Sequence, residues 1–140
     1  MSGDVGETSS GHEEPNGAVN LQRAAAELLQ TAQASSARRA GRTLIPGAGT
    51  PLKQSLLALL AGQSLSDHES PGAATLQVVS GVVRLTAGGR DAIELGPGDL
   101  VAIPAARHGL DAVEDAVVLL SVGAASAARS PARPRPGARP

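Results

Sequence analysis

Apolar positions recur at helical spacing only once in this chain. In NLQRAAAELLQTAQA, residues 20–34, Leu21, Ala25, Leu28 and Ala32 fall on one face, Asn20 stands where an N-cap belongs, and Arg23 and Glu27 are spaced as an i,i+4 pair. The pattern predicts one amphipathic helix, whose ordinary use is to cover a sheet edge or face of its own domain, with docking on a partner as the alternative. SSARRAGR, residues 35–42, reads as a linker with exposed charges, and RTLIPGAGTP as a short strand broken by proline and glycine.

From residue 75 the period changes to that of strands. TLQVV, VVRLTA, AIEL, LVAI and AVVLLSV are short β-rich runs separated by SG, GGRD, GPGD, PAARHG and VED. Short strands at regular spacing with tight turns predict an antiparallel sandwich or barrel. The segment LKQSLLALLAG, residues 52–62, is ambiguous: its leucines and alanines favour helix, whereas its short length suits a buried strand. A helix in the middle of the strand series would interrupt the sheet, so QSLLALLA is assigned as a strand.

Composition narrows the picture further. A chain of 140 residues has room for one domain and one core. It contains no Phe, Trp, Tyr or Cys, so the core is built from Leu, Val, Ile and Ala. That removes base stacking on aromatic rings, a thiol nucleophile, a Cys-ligated zinc site and a disulfide framework. The net charge of -1 conceals an asymmetry: Asp4, Glu7, Glu13 and Glu14 precede residue 18, and Arg129, Arg133, Arg135 and Arg139 follow residue 124. Both ends read as disordered tails, since neither carries an apolar period with which to offset its ordering entropy. The Pro/Arg-rich end has too few charges to imply nucleic-acid binding, and its P-x-x-P spacing at Pro131 and Pro134 is a weak peptide-docking signal. With a polar N-terminus and no long apolar run, the chain reads as soluble and cytoplasmic, with no nucleic-acid or membrane partner. The organisation that emerges is an acidic tail at 1–17, a helix and linker at 18–41, a β-domain at 42–123 and a Pro/Arg-rich tail at 124–140.

Two groups of residues carry a resemblance. Gly62 is followed after five residues by His68, and the frame closes at Gly81; farther on, Gly98 opens GPGDLVAIP and leads to Pro104 and His108. In order and spacing these positions resemble the two motifs of the small single-domain, RmlC-like cupins, over about residues 42–123. The resemblance implies an all-β, double-stranded β-helix of the jelly-roll type, here with one N-terminal α-helix. It also implies where a metal would sit, because family members hold iron, manganese, zinc or nickel with three histidines and a carboxylate on inward-facing strand positions. Here the motif's second histidine is replaced by Ser70 and its glutamate by Ala74; Ala106 replaces a glycine, His108 arrives one residue early, and the asparagine is not recovered.

The expected site is therefore a degenerate one. His68 and His108 should emerge from neighbouring strands at one mouth of the barrel, with Ser70 and Arg107 as further ligand-binding candidates. No cofactor is expected, because two imidazoles leave most of a divalent ion's coordination sphere to water. If a metal does bind, His68 and His108 hold it together with Glu69 or Asp67. Those two carboxylates neighbour His68, and strand alternation turns Glu69 to the opposite face unless a bulge near Pro71 and Gly72 breaks the parity. Gln77 has the same difficulty relative to Ala74. The combination Ser70, His108 and Asp111 lacks any supporting motif, and Glu114 with Asp115 reads as a turn. His12 has no expected role, and Gly81, Gly88, Gly89, Gly96 and Gly98 read as turn positions needing positive φ. The leading functional expectation is a non-catalytic domain that binds a small molecule in a regulatory or sensing role. The alternatives are a metal-dependent enzyme of oxygenase or isomerase type and a purely structural or interaction module. Homodimerisation through the RTLIPG edge and the apolar helix face is expected as well.

Overall fold

Asn20 starts the only helix seen in the described residues, α1 (Leu21–Ala34), by accepting the backbone N–H of Arg23 on its side chain at 2.8 Å. The computed structural model describes residues 17–45, 51–68, 73–88, 91–103 and 107–123, with the side chains of 66–68 excepted. Both tails lie outside that set. After α1 the chain reverses at Arg38, a non-glycine residue at φ 59°, and runs directly into β1 (Arg39–Ile45). The linker is thus shorter than SSARRAGR suggested, because Arg39 to Arg42 pair with Leu59 to Leu56 of β2 (Leu52–Leu59). Cross-strand pairing overrides the polar look of these residues.

The remaining strands are β3 (Ser64–His68), β4 (Ala74–Ser80), β5 (Val83–Ala87), β6 (Ile93–Leu95), β7 (Leu100–Ala102), β8 (His108–Ala112) and β9 (Ala116–Gly123). They form a five-stranded sheet in the order β1-β2-β9-β4-β7 and a four-stranded sheet in the order β3-β8-β5-β6, antiparallel throughout. The all-β jelly roll with one helix is what the strand spacing predicted. Among the described residues no helix is long and apolar enough to cross a membrane.

Three layers result, and they explain the ambiguous leucine run. Leu57 and Leu59 of β2 face the core between the sheets, alongside Leu76, Val78, Val83, Leu85, Leu110 and Val118. Leu56, Ala58 and Leu60 face the other way and pack beneath Ala24, Ala25, Leu28 and Ala32 of α1. A strand apolar on both faces loses the alternation that marks a half-exposed strand, and leucine and alanine fit it as well as they fit a helix. The helix face is rich in alanine, which brings its backbone close to the sheet. Each fully buried leucine or valine in these layers contributes about 1.5–3 kcal/mol.

The outer face of the four-stranded sheet is polar. Ser64, Asp111, Arg84 and Glu94 lie opposite one another across β3, β8, β5 and β6, with a Ser64–Asp111 hydrogen bond of 2.6 Å and an Arg84–Glu94 ion pair of 3.4 Å. Such exposed pairs are worth about 0–1 kcal/mol each, so their main effect is to keep this face solvated. Arg39 ties the two sheets together at one side, donating from its guanidinium to the Gln63 side chain at 3.2 Å and to the Ser64 carbonyl at 3.4 Å.

The GPGD segment is a type II turn. Asp99 N–H donates to Gly96 O at 3.0 Å, Pro97 takes the second position and Gly98 the third at φ 89°. Gly96, expected at positive φ, does not adopt it; its N–H instead donates to the Asp99 carboxylate at 2.8 Å. Asp115 also departs from expectation, because its carboxylate serves no local turn bond alone but accepts the N–H of Ala61, 54 residues away, at 2.8 Å.

Candidate functional site

β8 carries the candidate imidazole. Along this strand His108, Leu110 and Ala112 alternate with Gly109 and Asp111, so His108 shares the inward face of two residues of the inter-sheet core. His108 is 5% exposed and is the one buried polar side chain among the described residues. Asp111 points to the opposite face, where Ser64 donates to it. A Ser70–His108–Asp111 arrangement therefore lacks its acid, as Asp111 lies on the other side of the sheet from the imidazole.

β3 brings His68 alongside. Leu65 pairs with Leu110, and the next recorded partners are His68 and His108. Three steps along β3 against two along β8 mean one extra residue, a β-bulge that takes up Ser66 and Asp67. In an unbulged ladder Asp67 would stand opposite His108, whereas the bulge gives that position to His68. The parity break foreseen near Pro71 and Gly72 thus occurs earlier in the chain. On its other side His108 pairs with Ala87 of β5, and the carbonyl of the preceding Arg107 accepts the N–H of Gly88 at 3.0 Å.

The remaining candidates divide as follows. Arg107 is exposed immediately before β8. Asp67 belongs to β3 by its backbone, and Glu69, Ser70 and His12 lie outside the described residues. Ala74 opens β4 at 7% exposure, its methyl part of the inter-sheet core. Among the described residues no group of three or more His, Cys, Asp or Glu side chains comes together. Sequence reasoning missed Ala87, which flanks His108, and the bulge that sets the His68 register; no residue type announces either.

No family model and no curated relative matches this chain. Solved structures do. A cupin superfamily protein from Desulfitobacterium hafniense superposes with a TM-score of 0.56 at 21% identity, over 61% of this chain and 77% of that one. A conserved protein of unknown function from Streptococcus pyogenes gives 0.57 at 28% identity, over 64% and 77%. The DMSP lyase DddQ from Ruegeria pomeroyi gives 0.55 at 20% identity, over 68% of this chain and 53% of its own.

Proposed function

We propose that this chain, a small cupin domain by fold, is a non-catalytic module that binds a small molecule beside His68 and His108 and acts as a sensor or regulator. The observation that carries the reading is the β3–β8 register: it sets His68 directly opposite His108, at the end of the strand pair, while His108 is 5% exposed on the inward face. A buried imidazole at the open end of an aliphatic core is a polar feature to which a ligand can be fixed. Cytoplasmic location is part of this reading, supported by the absence of cysteine.

The residues do not fit a resident divalent metal of the kind the resemblance implies. Where the family pattern has a glutamate this chain has Ala74, whose methyl packs in the core, and two neutral imidazoles provide no charge. The enzyme alternative, a metal-dependent oxygenase or isomerase, requires the missing donors. Protein purified without tag or chelator is expected to carry far less than one equivalent of iron, manganese, zinc or nickel by elemental analysis. The double variant Ser70→His, Ala74→Glu should melt lower than the natural chain without metal, because it buries a carboxylate, and recover when metal is added. A full equivalent of metal on the natural chain would replace the binding reading with the enzymatic one and point to Asp67 or Glu69 as the third ligand. For the binding reading itself, a thermal-shift screen of metabolites should yield at least one stabilising ligand.

Homodimerisation is also proposed. The apolar face of α1 is taken up by its own sheet, which leaves the β1 edge, flanked by Ile45 at 40% and Leu52 at 41% exposure, as the surface for a second copy. Light scattering at micromolar concentration should give twice the chain mass; a monomer mass rejects this assembly.

A further inference from the structure

We infer that the molecule bound beside His68 and His108 is a short aliphatic carboxylate, an inference that rests on the binding function proposed above. Three observations converge on that chemistry. The inward side chains near His108 are aliphatic, with Leu110 and Ala112 on its own strand and Leu65 and Leu85 on the strands to either side, so the body of a ligand meets hydrocarbon. The chain has no aromatic residue, which leaves flat ring systems without a stacking surface. Carboxylates that could receive an ammonium group are directed elsewhere in the described strands: Asp111 bonds Ser64 and Glu94 pairs with Arg84, both on the outer face.

What faces the ligand is instead a set of donors. An imidazole offers an N–H, and two imidazoles at opposed register positions can each supply one to a carboxylate's two oxygens. Arg107, exposed and adjacent to His108, adds positive charge on the approach. A compact anion with a hydrocarbon tail matches every part of this surface; an amine, a neutral amide or an aromatic acid each fails one part.

Calorimetric titration of the full chain with butyrate, butyramide, butylamine and benzoate tests this. Butyrate is expected to bind at least about tenfold more tightly than each of the others. His108→Gln should weaken butyrate about tenfold, and Arg107→Gln, at an exposed position that leaves folding intact, by about threefold with a reduced salt dependence. Equal or tighter binding of butyramide, butylamine or benzoate overturns the carboxylate assignment and leaves the binding function standing. So does a ligand from the metabolite screen that is not a carboxylate while butyrate stays silent. Butyrate binding untouched by both substitutions overturns the siting. If neither the four probes nor the screen yields a ligand, the binding function falls and this inference with it.

Discussion

Replacing Gly81 with alanine is expected to abolish stable folding. This residue turns the chain from β4 into β5 at φ 81°, and an added Cβ would lie 2.6 Å from the Ala116 Cα and 2.7 Å from its Cβ, nearer still to the Asp115 carbonyl oxygen. All three are atoms of the start of β9 that cannot swing aside as the end of a long side chain would. The left-handed conformation costs an alanine about 1–2 kcal/mol. Forcing the neighbouring backbone apart adds about 1–3 kcal/mol or more, against a total stability of about 5–15 kcal/mol for a domain. Gly62 is the control: at φ 90° it has nothing within 4 Å of an added Cβ, so Gly62→Ala should lose only the conformational part, about 1–2 kcal/mol. Denaturant titration of both variants decides the matter. Equal losses would mean that the Gly81–Ala116 approach is not a tight one.

The second large effect is expected at two adjacent residues. Val117→Asp and Val118→Asp should each unfold the domain, although strand alternation ordinarily lets one of two neighbours accept a charge. Both are 0% exposed, Val117 packing under α1 and Val118 in the core between the sheets. An isolated buried carboxylate costs several kcal/mol after relaxation. Leu100→Asp, on an edge strand at 65% exposure, should change stability by no more than about 0.5 kcal/mol. Circular dichroism melts of the three variants would report the contrast. A cooperative melt near the natural temperature for Val117→Asp would mean that α1 does not cover the sheet as described.

Legibility followed exposure. The helix was readable because one face alone is buried, and β4 and β5 because their patterns alternate. The leucine run of β2 was readable only from its place in the strand series, since its two faces serve two different layers. SLSDH and HGLDA, the strands β3 and β8 that carry the site, have neither β-branched residues nor a clean alternation, so His108 read as part of a turn. Neighbouring strands held them in place where local propensity did not. The spacing from Gly62 to His68 pointed to the first histidine, but which residue of β3 would stand opposite His108 depended on a one-residue bulge, and that is fixed by pairing between chain segments about 40 residues apart.

The position of β9 also governs the order of folding. It is inserted between β2 and β4, so the five-stranded sheet exists only as two separate halves until residues 116–123 arrive. During synthesis the β1–β2 pair and the β4–β7 pair each wait with an unpaired edge, and the surface under α1 lacks Val117 and Leu119. The last strand made therefore completes both hydrophobic layers in one step. That makes closure cooperative and late, and the interval before it is the period in which the nascent chain is most exposed to association with its neighbours.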